Sequence, residues 1–431
     1  MVSLSKVKKL RLYRSLWVLG AVCIGFLFVV LVYNALRTNS KTMIYSNSQV
    51  HFWSVTSIDT SKYSRDLARE KINDIEFDKV IEDQVRNIAA TGASHVSINT
   101  PYDEEFVPYL IRWVEAARRN DLNVWFRGNL SGWEGWFGYP RLNRDEHIKK
   151  IKEFILTHKD LFEDGDIFTP CPECENGGPG DPRHNDDLIG HRAFLIKEHN
   201  ATEDTFLRIG KSVHANYNSM NADVARLVMD PLTTSALGGI VALDHYVESP
   251  TEFARDVEEI AASSKGNIVI GEFGAPIPDI HGSMSATTQA AWIEATLYEL
   301  TKIPQVVGVN YWTGVGGSTE IWNSKILARP AVSIIKNFYH PLKVNGFVKD
   351  ELDRPIAGVT VLSKFREVIT DQYGYFELPY YPKGSLPIEF HAIGYGSANS
   401  TISRPGQQFE ITLTKEQKGF WYRTLVFFKA L

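Results

Sequence analysis

The alternation of apolar and polar positions divides the chain into three patterns. Residues 16–36 are apolar and uncharged, a run of about 20 positions that at 1.5 Å rise per residue crosses a hydrocarbon core of about 30 Å. One transmembrane helix is expected there. From about residue 50 to 339, short apolar, β-branched or aromatic runs alternate with longer amphipathic stretches, the pattern of a parallel sheet wrapped by helices. Eight strands are expected, at 50–55, 95–99, 123–127, 166–173, 212–217, 239–244, 267–272 and 306–311. Between them the helical spacing is plain. Residues 77–91 place Val80, Ile81, Val85 and Ile88 on one face, and 253–262 carry Phe253, Val257 and Ile260. Eight βα units in about 290 residues predict a (β/α)8 TIM barrel, whose active site lies at the C-terminal ends of the strands.

After Pro341 the helical spacing stops, and short strands at 344–349, 358–361, 368–370, 375–378 and 388–392 are separated by turns such as Asp371-Gln372-Tyr373-Gly374. A small β-sandwich is expected. The chain thus reads as a basic tip and anchor (1–40), a barrel (41–340), a β-sandwich (341–416) and an apolar tail (417–431). The tail suits an interfacial segment and equally an element docked on the barrel.

Composition narrows the partners. A hydrophobic content of 44% supplies a sizeable core, and a net charge of −5 with scattered basic residues excludes a nucleic-acid surface. The exception is the cluster Lys6, Lys8, Lys9, Arg11 and Arg14 before the apolar run, which outweighs Arg37 and Lys41 after it. That asymmetry puts the N-terminus in the cytoplasm and the barrel outside, at the cell membrane. A cleaved signal peptide is the competing reading, against which stand the length of the run and the absence of a small-x-small pattern around Asn34, Ala35 and Leu36.

Polar and aromatic residues collect at the expected strand ends: Asn99, Arg127 with Asn129, Glu173, Asn216, His245 with Tyr246, Glu272 and Trp312. Glu272 ends the run Asn267-Ile-Val-Ile-Gly-Glu, an apolar strand that finishes in a carboxylate. A second carboxyl comes from the strand ending in Cys171-Pro-Glu173-Cys174, and Glu175 shares its parity. Two carboxyls across a barrel mouth supply the proton donor and the stabilising carboxylate that glycosidic cleavage needs. Glu173 is taken as the acid, with Glu175 as the alternative. The Cys171/Cys174 pair is open to three readings: redox dithiol, half a metal site, or a disulfide fixing the loop around Glu173. No metal and no cofactor are expected. Trp125 is expected in the core, whereas Trp133 and Trp136, in a glycine-spaced loop, suit either core or ligand.

Ile-Gly-Glu272-Phe-Gly resembles the seventh-strand nucleophile motif of the retaining clan A glycoside hydrolases, a group that includes cellulases and mannanases. The resemblance implies a glycosidase acting on β-linked polysaccharide or oligosaccharide, with Glu272 as nucleophile and the carboxyls about 5 to 5.5 Å apart. It further implies that Tyr246, beside His245, orients the nucleophile, that Arg127 keeps it ionised, and that Trp312 is a sugar platform. Strand four departs from the family's Asn-Glu-Pro, since Pro172 precedes Glu173 here. Asn176 and Asn99 are the candidates to replace that asparagine's contact with the sugar, and Asn216 is a further binding candidate. The departure also motivates an alternative, a non-catalytic carbohydrate-binding surface protein. The module after Pro341, with Thr370-Asp-Gln-Tyr-Gly-Tyr-Phe376 and Ile393-Gly-Tyr395, resembles the carboxypeptidase regulatory-like (transthyretin-like) sandwich.

Overall fold

The structure is a computed structural model that describes residues 51–184 and 186–416. The apolar run at 16–36 and the tail at 417–431 lie outside these residues. Among the described residues no helix is long and apolar enough to cross a membrane.

Eight strands form one parallel sheet: β1 (Val55–Asp59), β2 (His95–Ile98), β3 (Asn123–Phe126), β4 (Ile167–Phe168), β5 (Ser219–Asn221), β6 (Ile240–Asp244), β7 (Asn267–Phe273) and β8 (Val306–Tyr311). Their order is β4-β3-β2-β1-β8-β7-β6-β5. β4, at one end of this sheet, is bridged in parallel at Ile167 to His214 in the segment leading to β5 at the other end, where His214 N donates to Asp166 O (2.8 Å) and Phe168 N to His214 O (2.9 Å). A helix follows each strand: α1 (Asp78–Ala89), α2 (Val107–Arg119), α3 (Arg144–Thr157), α4 (Leu188–Ile209), α5 (Ala222–Val228), α6 (Pro250–Ser264), α7 (Ala286–Leu300) and α8 (Pro330–Tyr339). This is the (β/α)8 arrangement, with the helices as an outer layer. The α1 face expected from the spacing is buried at Ile81, Val85 and Ile88.

Three strands depart from expectation. The fourth is only Ile167–Phe168, so the chain from Thr169 to Glu175 is loop and the shared strand parity expected of Glu173 and Glu175 does not hold. The first begins at Val55, where the sequence pattern had it end, because the apolar residues just before it serve another purpose. Phe52 packs edge-on against Phe365 (5.9 Å) and Trp53 stacks on Phe338 (6.3 Å), beneath the barrel. The fifth strand is Ser219–Asn221, and the stretch expected to form it joins the barrel wall through the His214 bridge and through Tyr217, whose carbonyl accepts from Thr169 Oγ1 at 2.8 Å.

The chain then forms two further sheets. Strands β9 (Leu342–Asp350), β12 (Tyr375–Tyr380) and β15 (Gln408–Leu413) make one, in the order β12-β9-β15. The other is β11-β10-β13-β14, from β10 (Thr360–Ser363), β11 (Glu367–Ile369), β13 (Leu386–His391) and β14 (Ala398–Ile402). They face each other through Phe376 and Phe390, whose rings are 5.5 Å apart. β14 and β15 went unread in the sequence, although Phe409, Ile411 and Leu413 alternate along β15 as a half-buried strand should.

The sandwich docks at the N-terminal ends of the barrel strands. Arg366 donates to the carbonyls of Phe52, Thr301 (3.1 Å) and Val306 (3.4 Å). Tyr381 stacks on Phe338 of α8 at 4.2 Å and 12°, and its hydroxyl donates to Glu294 of α7 at 2.8 Å. Tyr381→Ala removes a buried ring and a hydrogen bond together, and is expected to cost about 3–5 kcal/mol. An unchanged urea midpoint would show that this contact does not couple the two parts.

Candidate active site

Strand alternation builds the barrel interior in layers. Val55, Trp125, Ile167, Tyr217, Ala242 and Val269 fill the floor as one apolar cluster. Two residues further along, the corresponding positions become polar: Ser57, Arg127, Thr169, Ser219 and Asp244. Arg127 is 3% exposed and spans this layer. Its Nη2 donates to Asp244 Oδ2 (2.7 Å) and Ser219 Oγ (3.0 Å). Its Nη1 donates to Glu272 Oε1 (3.0 Å), Gly271 O (2.9 Å) and Asp59 Oδ2 (3.4 Å). Burial opposes a charge there, but Asp244, Glu272 and Asp59 outweigh it and hold the guanidinium protonated.

Glu272 reaches the mouth through a break in register. Leu243 pairs with Ile270 but Asp244 pairs with Glu272, which leaves Gly271 as an extra residue. A bulge of this kind re-aims the next side chain. The Gly271 carbonyl turns inward and accepts from Arg127 and from Asn310 Nδ2 (2.7 Å). A Cβ at this position would collide with Asp244 Oδ1, so the glycine before Glu272 answers to Asp244 across the barrel.

The other Glu272 oxygen accepts from the Tyr246 hydroxyl at 2.8 Å. Burial holds that phenol well above its ordinary range, so it remains a donor. Trp312, half-buried after β8, meets the Tyr246 ring edge-on at 6.1 Å, and its peptide bond to Thr313 is cis. Burial raises Glu272 to about 7, against the pull of Arg127 and with a further push from Glu173 and Asp59. Asp244 is raised well above the carboxylate range, again by burial first.

Glu173 is half-buried, has a φ of +47°, and sits between Cys171 and Cys174, which are disulfide-bonded with their Cα atoms 5.2 Å apart. Its backbone N–H donates to Ser219 O (2.8 Å), tying the loop to β5. Its charge acts on Glu272, Asp244 and Tyr246. Glu175 is 2% exposed. Its Oε1 accepts from Asn221 N (2.7 Å) and Nδ2 (3.0 Å), its Oε2 has no partner among the described residues, and burial raises it to about 7. Asn176 lies beside it, with Oδ1 accepting from Arg183 (3.1 Å). Asn99 donates to both oxygens of Asp59 (3.1 and 3.2 Å) below the mouth.

Two expected site residues lie elsewhere. Asn216 donates to Gly238 O (3.1 Å), ahead of β6 at the opposite end of the barrel, because the fifth strand runs later than expected. His245 points outward, bonded to Asp256 of α6 (3.0 Å) and packed on Phe253 (5.0 Å). Asn129 likewise bonds His147 of α3 (2.8 Å), and Trp133 is core, stacked on Phe194 (5.1 Å) with Nε1 donating to Cys174 O (3.1 Å). Conversely, Asp59 and Asp244 escaped the sequence reading. Asp244 ends the apolar strand Ile240-Val-Ala-Leu in a carboxylate, the signal that marked Glu272, whereas Thr56 and Ser57 break that pattern ahead of Asp59.

No protein-family model matches the chain, and no curated protein matches it in sequence. Solved structures share its fold. A GH5_18 protein from Streptomyces cattleya, in complex with Manβ1-4GlcNAc, aligns at 14% identity over 70% of this chain and 85% of that one, with a TM-score of 0.51. Another, from Bifidobacterium longum subsp. longum with the same disaccharide, aligns at 12% identity over 70% and 84%, with a TM-score of 0.50. A β-glucuronidase from Bacteroides uniformis aligns at 11% identity and a TM-score of 0.44 over 77% of this chain, which spans 44% of that protein's length. What is common at these identities is the barrel.

Because the Glu272 carboxyl binds its proton more tightly folded than unfolded, its contribution to stability is lost as pH rises from about 4.5 to about 7. Glu272→Gln removes that proton linkage. By urea unfolding it should match wild type near pH 4.5 and exceed it by about 1–3 kcal/mol at pH 8. Parallel pH curves would contradict the burial argument.

Proposed function

We propose that the chain is a glycoside hydrolase that cleaves β-linked glycans with retention, through Glu272 as nucleophile and Glu173 as acid/base. The observation that carries this reading is the setting of Glu272 on its bulge, with Arg127 on one oxygen, Tyr246 on the other and Glu173 within electrostatic reach. A carboxylate fixed through both oxygens attacks from one direction. Arg127 favours its ionised form before attack and balances the charge that returns when the glycosyl–enzyme breaks down. Glu173 gives its proton to the leaving oxygen and then takes one from water. Trp312 beside Tyr246 offers the apolar face for the sugar ring.

Glu175 is the second reading for the acid, favoured by its rise to about 7. Its bonds to Asn221 support instead a role behind the loop, fixing the backbone around Glu173. By the charge asymmetry of its first 41 residues, the protein works outside the cytoplasm, tethered by residues 16–36. The sandwich, like the carboxypeptidase regulatory-like modules it resembles, serves as a spacer or contacts carbohydrate.

A panel of β-linked substrates that includes Manβ1-4GlcNAc, the disaccharide bound by the two GH5_18 neighbours, tests the assignment. Glu272→Gln should lower kcat about 1,000-fold or more. Glu173→Gln should fail on alkyl glycosides but retain turnover of aryl glycosides whose leaving group needs no proton. If Glu175→Gln shows that leaving-group dependence instead, the acid is Glu175. Oligosaccharide binding with no hydrolysis of any member would favour the non-catalytic alternative. In the active enzyme kcat/KM should climb as pH passes through about 7, where Glu272 loses its proton.

A further inference from the structure

Three side chains beside the reaction centre are unused by this mechanism. The turn Lys62–Asp66 after β1 carries Arg65, and the loop after β3 carries Glu134 and Trp136. The Arg65 guanidinium carbon lies 4.9 Å from the Trp136 ring centroid, and the side chain is one-third exposed. Its Nε donates to Asp66 Oδ1 (3.0 Å), while Nη1 and Nη2 have no hydrogen-bond partner among the described residues. The charges of Glu272 and Glu134 both reach it. The Glu134 carboxyl makes no hydrogen bond or ion pair with a described residue, and Arg65, Glu173 and Glu175 act on it.

Glu134 and Trp136 stand on an anchored loop. Arg141 Nη1 donates to the carbonyls of Trp133 (2.8 Å) and Gly177, bolting the loop after β3 to the loop that carries Glu173. Trp133 Nε1 adds a bond to Cys174 O (3.1 Å), and Gly178 leaves no room for a Cβ against the Trp133 indole. An acceptor and a half-buried indole are thus held on a fastened loop, with the Arg65 guanidinium over the indole.

We propose that Trp136, Arg65 and Glu134 form a further sugar subsite, which binds a second, neutral pyranose ring of an oligosaccharide and makes the enzyme prefer chains to single glycosides. The inference deepens the glycosidase reading and takes the kind of ligand from it. A pyranose presents an apolar C–H face for the side of the indole that Arg65 does not cover, and vicinal hydroxyls that accept from Arg65 and exchange hydrogen bonds with Glu134. Asp66 balances Arg65, and burial raises Glu134 to about 8, so it is mainly uncharged near neutrality. The patch therefore selects neither an anionic nor a cationic sugar.

Titration calorimetry on the full chain carrying Glu272→Gln separates this proposal from the catalytic one. The probes are mannotetraose, cellotetraose and the matching methyl monoglycosides. At least one tetrasaccharide should bind more tightly than its monoglycoside. Added Trp136→Ala or Arg65→Ala should weaken that tetrasaccharide about ten-fold or more and leave the monoglycoside unchanged, whereas Trp136→Phe and Glu134→Gln should retain most of the affinity. Circular dichroism confirms that each variant folds. Equal weakening of both lengths, no weakening, or no binding of any neutral oligosaccharide overturns the subsite. Tighter binding of a tetrasaccharide of uronic acids overturns the neutral class. Length-dependent binding in a wild type that hydrolyses nothing leaves the subsite standing and overturns the hydrolase.

Discussion

A single buried guanidinium organises the upper half of the barrel. Arg127 rises from the end of β3 and binds groups on β1, β5, β6 and β7. A charge taken out of water is tolerated only where opposite charge and hydrogen-bond acceptors surround it. Asp59, Asp244 and Glu272 meet that demand and exceed it, since three carboxyls share one cation. Burial first, and the crowding of carboxyls after it, hold Asp244 and Glu272 above the ordinary carboxylate range against the pull of Arg127. The same crowding shapes the backbone. Gly271 yields its side-chain space to Asp244, its carbonyl is claimed by Arg127 and Asn310, and the resulting bulge delivers Glu272 to the mouth.

Around that centre the molecule is arranged by height along the barrel axis. Apolar side chains close the floor, the ion cluster lies above them, and the loops after β3 and β4 form part of the rim. The rim is fastened: the disulfide brackets Glu173, and Arg141 and Trp133 bind the β3 loop to the β4 loop. The sandwich attaches at the other end through Arg366 and Tyr381, clear of the mouth. Rigid support below and fixed loops above suit chemistry that depends on holding two carboxyls in place.

Much of this was legible in the sequence because alternation and strand-end chemistry are local signals. β8 falls where the run of apolar residues put it, and Glu272, Tyr246, Arg127 and Trp312 come together as the strand ends implied. What escaped depends on tertiary partners. Phe52 and Trp53 look like strand residues until Phe338 and Phe365 are brought beneath them. β5 is three residues long and lacks an apolar run, so its place is set by pairing with β6, and Asn216 was misplaced with it. His245 and Tyr246 adjoin, so they face opposite ways along an extended chain, and only the tyrosine can meet Glu272. Asp244 carried the right local signal and Asp59 did not, and both acquire meaning only through Arg127.

The proposed chemistry requires Glu272 to be the nucleophile. Incubation of the full chain with a 2-deoxy-2-fluoroglycosyl fluoride of a substrate it hydrolyses should trap one glycosyl group per chain. Mass spectrometry of the digested protein should place that group on Glu272. Turnover of the natural substrate with the group on another residue, or with inverted product and no trapped species, would contradict the account.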